Sequence, residues 1–237
     1  MFRSIVALAL CVPLVVFAQG PRRSAEQAWN DLYSKREGKE HQFNKFLAET
    51  VKDRKPGSAL DIGMGQGRNS LFLAALGWQV TGFDISAVGV KQAQEEAKKR
   101  DLKIDARVGD VDKFDYDKNK WDLVVGMYMH EYLTRNAAKI VESLKPGGVL
   151  AVHISNRYLD LVPVVQQAAR HLSLELRQVE NDDDDDAGVY RSDWMLVSAS
   201  PAAFEGKELK EAADRIDAVP SVRLWTDDYS DLYRILK

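Results

Sequence analysis

From residue 25 onward the apolar positions fall into two alternating patterns: short unbroken runs, and stripes with helical spacing. Trp29, Leu32 and Tyr33 recur at i, i+3 and i+4, which predicts a helix over 25–36, and a second is expected over 43–53. Pro56-Gly57 then breaks the chain. The run Ala59–Ile62 reads as a strand, 71–76 as a helix stopped by Gly77, and 78–83 as a second strand. Ser86 is placed to cap a helix reaching Arg100, with Glu95/Lys99 and Glu96/Arg100 as i,i+4 pairs. Strands are expected over 104–108 and 121–126. Thr134 is placed to cap a helix carrying Ala137, Ala138, Ile140, Val141 and Leu144. Pro146-Gly147-Gly148 turns the chain into a strand over 149–154. Asp160 and Pro163 open a helix ending near His171, and 174–179 and 194–198 are two further strands. Strands alternating with helices of this length predict a doubly wound α/β fold, a parallel sheet with helices on both faces.

The first eighteen residues do not belong to this pattern. Arg3 is their only charge, an apolar run starts at Ile5, and Ala18 with Val16 before it offers a cleavage point ahead of Gln19. At about 14 residues the run is short against the roughly 20 needed to span a bilayer. Residues 1–18 are therefore expected to be a signal peptide, making the mature protein periplasmic or secreted; an uncleaved segment leaves it cytoplasmic or membrane-anchored. The whole chain has 33 basic and 36 acidic residues, a net charge of −3. Cleavage removes Arg3 and the single cysteine, Cys11, leaving −4 and nothing for a disulfide or thiolate metal site. This balance provides no broad basic surface for nucleic acid. The five aspartates Asp182–Asp186 read as a solvated loop between the last two strands, because calcium loops space their ligands and interrupt them with glycine.

Candidate chemistry collects at the ends of the predicted strands. Asp61-Ile62-Gly63-Met64-Gly65-Gln66-Gly67 closes the first strand and opens a helix. In an open parallel sheet ligands bind at the carboxyl ends of strands, near the point where strand order reverses. Glycines there bring backbone N–H groups close to a ligand. The spacing is G-x-G-x-G, unlike the G-x-G-x-x-G that cradles a pyrophosphate, and Asp61 would repel a diphosphate while suiting an ammonium group. Asp84 ends the second strand, where a carboxylate can accept both hydroxyls of a ribose. Asp110, between Gly109 and Val111, ends the third, where it can accept from an exocyclic amine. The fourth ends at Gly126.

The stretch 59–86, ALDIGMGQGRNSLFLAALGWQVTGFDIS, resembles the Rossmann-like (class I) S-adenosylmethionine-dependent methyltransferases, nearest their small-molecule branch of tellurite-resistance and thiol methyltransferase-like proteins. Trp121–Val125 and Leu144–Leu150 match the family's later motifs, so the resemblance spans about Trp29 to His153. It implies a mostly parallel seven-stranded sheet, S-adenosyl-L-methionine as cofactor, and methyl transfer to a small-molecule acceptor. Residues 19–56 become helices covering the cofactor site and 57–237 the Rossmann-like domain. By resemblance Gly63, Gly65 and Gly67 line the cofactor, with Met64 or Gln66 adding backbone contacts. Asp61 faces its amino-acid end, Asp84 with Ile85 its ribose, Asp110 with Val111 its adenine, and Gly126 closes the edge. The C-terminal third (His153–Leu161, Ser192–Leu196, Trp225–Leu232) resembles spermidine-synthase-like proteins of the same fold. The segment after the fourth strand, Gly126–Leu133, lacks the Asp-rich polyamine motif of aminopropyltransferases. Aminopropyl transfer and non-catalytic nucleoside or polyamine binding are the alternatives to methyl transfer.

Methyl transfer from a sulfonium is an in-line displacement, and alignment is the main requirement. The acceptor is expected against the loop after the fourth strand, where Tyr128, His130, Glu131 and Tyr132 lie. His130 is the candidate base, with Tyr128 beside it, or His130 and Glu131 cap the next element. Tyr132 and Arg157 are candidate acceptor contacts, Arg157 as a bidentate clamp for a carboxylate. Trp29 and Tyr33 either line the acceptor and close over the cofactor or simply pack. His153 ends the fifth strand as a second histidine near the cleft or a core residue. No metal motif is present, and the expected partners are a small acceptor, with neither nucleic acid nor, after cleavage, a membrane.

Overall fold

Two strands, β1 (Ser58–Ile62) and β4 (Trp121–Gly126), are buried along nearly their whole length, as expected of parallel strands covered on both faces. Successive residues of each point to opposite sides of the sheet. Ala59, Leu123 and Val125 pack with Leu47 and Val51 of α2 (Lys45–Lys52) and Leu73 of α3 (Arg68–Ala75). Leu60, Ile62 and Val124 pack on the other side with Ile140 of α5 (Ala137–Ser143) and Val164 of α6 (Val162–His171). This computed structural model describes residues 23–36, 43–127, 135–155, 158–181, 192–206, 222–225, 234 and 236. The signal segment, Tyr128, His130, Tyr132, Thr134, Arg157 and the aspartate run lie outside the described residues.

The remaining elements are α1 (Ala25–Ser34), β2 (Gln79–Asp84), α4 (Ala87–Lys99), β3 (Ile104–Val108), β5 (Leu144–His153), β6 (Glu175–Asn181) and β7 (Ser192–Ser198). The sheet runs β3-β2-β1-β4-β5-β7-β6. The first five strands are parallel, whereas β7 is antiparallel to both β5 and β6. This is the doubly wound, mostly parallel seven-stranded sheet anticipated, with its order reversing between β1 and β4. Strand β3 forms an edge, and its outward Asp105 and Arg107 pair with each other (Nε to Oδ1 2.9 Å).

Most predicted elements hold, with local corrections; α5 has Asn136, not Thr134, at its N-cap and ends before Leu144, which already belongs to β5. Helix α3 starts three residues before Leu71, because Gly67 at its N-cap takes a left-handed φ of 79°. Ser86 caps α4 as expected, its hydroxyl accepting from the Gly89 N–H at 3.1 Å. Glu96 pairs with Arg100 at 2.7 Å as expected, but Lys99 also turns to Glu96, at 3.3 Å, and Glu95 pairs with Lys91 instead. The i,i+3 and i,i−4 neighbours are as close on a helix as the i,i+4 one. Pro146-Gly147-Gly148 is no simple turn before a strand. Pairing already begins at Trp121–Leu144 and resumes at Leu123–Val149, so 145–148 bulge out of β5. Gly147 there has a φ of 78°, and a Cβ on Gly148 would stand 2.8 Å from the Trp121 carbonyl.

Candidate cofactor site

Parallel register aligns the carboxyl ends of the central strands: Ile62 stands beside Phe83 and Gly126, and Asp84 beside Val108. Asp61, Asp84, Asp110 and Gly126 are thereby brought to one edge, at the reversal of strand order. The glycine loop crosses that edge. Gly63, Gly65 and Gly67 have φ of 68°, 55° and 79°, so every second residue is left-handed, which accounts for the two-residue spacing. The Gly65 N–H donates to Asp84 Oδ2 at 2.9 Å, and the Ser86 N–H to Oδ1 at 2.8 Å. Burial pushes the Asp84 carboxyl upward, and these two N–H groups pull it back. Each carboxylate oxygen keeps a further lone pair for a hydroxyl donor.

Asp61 is 2% exposed and accepts from the Ser70 hydroxyl at 2.7 Å. Burial lifts its pKa to about 6, against the Ser70 hydrogen bond and the Arg68 charge, with Asp84 adding to the rise. Among the described residues no cation lies within ion-pair distance of it. A buried acid of this kind fits an ammonium group brought by a ligand.

The other anticipated contacts divide by role. Met64 sends its side chain under the sheet, where its Sδ stands 2.6 Å from where a Gly82 Cβ would be; its N–H is bound to the Phe83 carbonyl (3.0 Å). Its expected backbone contact is therefore limited to a carbonyl that already accepts from Gly67. Gly67 itself serves helix packing, since a Cβ there would meet the Ala93 Cβ of α4 at 2.7 Å. Asp110 is partly exposed; its Oδ1 accepts from the Asp112 N–H at 3.0 Å and its Oδ2 faces Lys113 at 3.5 Å. Val111 is a core side chain whose carbonyl accepts from the Tyr116 hydroxyl, so only its backbone faces the edge. Ile85 is half-buried beside Asp84 and Gly126 is buried at the end of β4.

Helix α1 lies across the Asp84 side. The Tyr33 ring occupies a slot between two glycines: a Cβ on Gly65 would meet its hydroxyl oxygen at 2.6 Å, and one on Gly89 its Cδ2 at 2.9 Å. Burial and the Asp84 charge push the Tyr33 phenol well above its usual pKa. Trp29, 42% exposed, stacks on Tyr33 at 5.7 Å. Tyr33 is thus set beside the glycine loop and Asp84, with Trp29 stacked on it. His153 is buried and meets the Trp194 ring edge-on at 4.9 Å. Sequence reasoning missed Ser70, Asn30 and Asn69. The polar triplet Arg68-Asn69-Ser70 opening a helix was the available signal for two of them; Asn69 Oδ1 accepts from the Asn44 N–H and so joins α3 to α2.

Residues 59–148 match the family model for a methyltransferase domain. That stretch is similar to methyltransferase domains. Over 100 residues it is 30% identical to the probable S-adenosyl-L-methionine-dependent methyltransferase TehB of Haemophilus influenzae (42% of this chain, 35% of that protein). It is 34% identical over 128 residues to the ribosomal RNA small subunit methyltransferase C of Alcanivorax borkumensis (51% and 38%). A ubiquinone biosynthesis O-methyltransferase of Bradyrhizobium sp. is 35% identical over 101 residues (41% and 40%). The chain thus spans 35–40% of the length of these relatives. The crystal structure of H. influenzae TehB superposes with a TM-score of 0.54 at 20% identity, covering 73% of this chain and 67% of that one, which establishes the shared fold. The matched stretch runs from β1 through the bulge of β5, and the TehB relative is named as S-adenosyl-L-methionine-dependent.

Proposed function

We propose that this protein is an S-adenosylmethionine-dependent methyltransferase acting on a small-molecule acceptor in an exported compartment. The observation that carries the cofactor assignment is the meeting of Asp61, Asp84 and the left-handed glycine loop on one sheet edge. When bound, S-adenosylmethionine supplies a methyl group on a sulfonium, which leaves as the thioether when the acceptor's lone pair takes the methyl. Asp61 holds the ammonium end and Asp84 the ribose hydroxyls, with the Gly65 and Ser86 N–H groups fixing the carboxylate's orientation. Asp110 accepts from the adenine amine. Binding and alignment are the chain's main contribution. An acceptor that is already an anion or lone-pair nucleophile needs no base; a hydroxyl acceptor passes its proton to His130, with Tyr128, Tyr132 and Arg157 placing it.

The relatives' names include a ribosomal RNA methyltransferase and a ubiquinone biosynthesis O-methyltransferase. A small acceptor is favoured by the acidic overall charge, and a soft thiol, a chalcogen, a carboxylate and a hydroxyl all satisfy the chemistry. The likeness of the C-terminal third to spermidine-synthase-like proteins belongs to this reading as architecture; aminopropyl transfer is disfavoured by the absence of an acidic run in 126–133. Titration calorimetry with S-adenosylhomocysteine tests the cofactor assignment. Asp84→Ala is expected to weaken binding by about 1.5–3 kcal/mol, the worth of hydrogen bonds to a charged acceptor. Unchanged affinity refutes it. Export is tested by mass spectrometry of protein from its native host: a mature chain starting at or near Gln19 is expected, and an intact Met1 refutes cleavage.

A further inference from the structure

Helix α1 has an unusual means of attachment. It carries no buried residue, and it meets α4 and the glycine loop through the Asn30 side chain and the Tyr33 ring. Asn30 is at the centre of these contacts. Its Oδ1 accepts from the Ser86 hydroxyl at 2.6 Å and from the Val88 N–H at 3.3 Å. The same Ser86 hydroxyl that donates to Asn30 accepts from the Gly89 N–H. That cap fixes the turn whose Ser86 N–H holds Asp84 Oδ1, while Gly65 holds Oδ2. An unbroken line of hydrogen bonds therefore runs from a surface helix to the carboxylate assigned to the ribose. Tyr33, three residues after Asn30, sits between Gly65, whose N–H holds the same carboxylate, and Gly89, whose N–H binds the Ser86 cap.

We propose that Asn30 is a positioning residue for the nucleoside site, acting through Ser86 on Asp84, and that docking of α1 and cofactor binding reinforce one another. The inference rests on the cofactor assignment above. An element held by few polar contacts lies at the low-stability end of a fold and opens more readily than the sheet beneath it. A ligand that tightens Asp84 tightens both anchors of α1, and by reciprocity a docked α1 raises ligand affinity by the same factor. Asn30 touches neither cofactor nor acceptor in this scheme. Its whole effect is to hold the buried Ser86 hydroxyl and the Val88 N–H, which otherwise lose this acceptor.

The test uses the full chain, S-adenosylhomocysteine as the probe, and three variants: Asn30→Ala, Asn30→Asp and Tyr33→Ala. Binding is measured by calorimetry well below the melting temperature. Hydrogen exchange is followed over 25–34, with and without saturating probe. In the wild type the probe is expected to slow exchange across α1 by about tenfold, the size of an ordinary coupling. Asn30→Ala is expected to weaken probe binding about tenfold and abolish that slowing, with binding read well below the variant's own melting temperature because the buried Ser86 hydroxyl loses its acceptor. Asn30→Asp keeps both acceptor interactions and is expected to restore affinity to within about threefold of wild type. Tyr33→Ala is expected to weaken binding and speed α1 exchange together. Probe binding that leaves α1 exchange unchanged overturns the coupling while leaving the cofactor assignment intact. Wild-type affinity in Asn30→Ala, or equal losses in Asn30→Ala and Asn30→Asp, overturns the positioning role. A wild-type protein that binds no probe overturns the cofactor assignment and this inference with it.

Discussion

Asp61 makes the cofactor site a source of pH dependence whose size follows from the structure. Its carboxyl is 2% exposed, and burial raises its pKa from 3.8 to about 6. A shift of that size corresponds to about 3 kcal/mol between the folded and unfolded states. Between pH 4 and 6 the folded protein holds this proton and the unfolded chain has released it. Unfolding therefore releases a proton, and the Asp61 contribution makes stability fall as pH rises through that window, then level off above about pH 7. Asp61→Asn keeps an acceptor for the Ser70 hydroxyl and removes the buried charge. The variant is expected to exceed wild type in stability by about 2–3 kcal/mol at pH 7.5 and to match it near pH 4, as read from urea melts. Cofactor binding should move the opposite way. The ammonium group requires the ionised acid, so S-adenosylhomocysteine affinity is expected to fall about tenfold for each pH unit below 6 and to be flat above 7. Affinity that is constant from pH 5 to 7.5, together with a variant no more stable than wild type at pH 7.5, would refute both the buried charge and its role.

Three further outcomes are expected. Gly65→Val places a β-branched side chain at a φ of 55° against the Tyr33 hydroxyl, so it should abolish S-adenosylhomocysteine binding by calorimetry while circular dichroism still shows a fold. Gly82→Ala drives a Cβ to 2.6 Å from the Met64 sulfur and 3.0 Å from the Ser70 hydroxyl, and should cost about 1–3 kcal/mol in a urea melt. His130→Ala should lower turnover by roughly 10²–10⁴ with unchanged cofactor affinity if the acceptor is protonated. Near wild-type turnover would remove His130 from the chemistry.

What the sequence made legible is what it stores locally. Strand ends, the glycine spacing and the acids at Asp61, Asp84 and Asp110 each occupy a few consecutive residues, and an open parallel sheet has one edge on which to put them. What escaped was interaction between distant positions. Asn30 meets Ser86 across 56 residues, and Asn44 meets Asn69 across 25; no periodicity announces either. Met64 and Gly67 look like ligand-lining residues in the motif. The space they occupy was already claimed by Gly82 beneath one and Ala93 beside the other, which only packing reveals. The bulge at 145–148 was misjudged for a similar reason: Pro-Gly-Gly signals a turn equally well before a strand and inside one.

The Asp105–Arg107 pair on β3 bears on what this protein does in a crowd of its own copies. An outermost strand exposes a row of unpaired N–H and C=O groups that any extended segment can use as a template. Two neighbouring outward positions of β3 carry opposite charges locked to each other, and a second chain zipping onto that border would have to strip both of water. Exposed Val108, one residue on, would otherwise make the border adhesive. Replacing Asp105 and Arg107 by valines would turn this margin into a smooth, apolar ribbon.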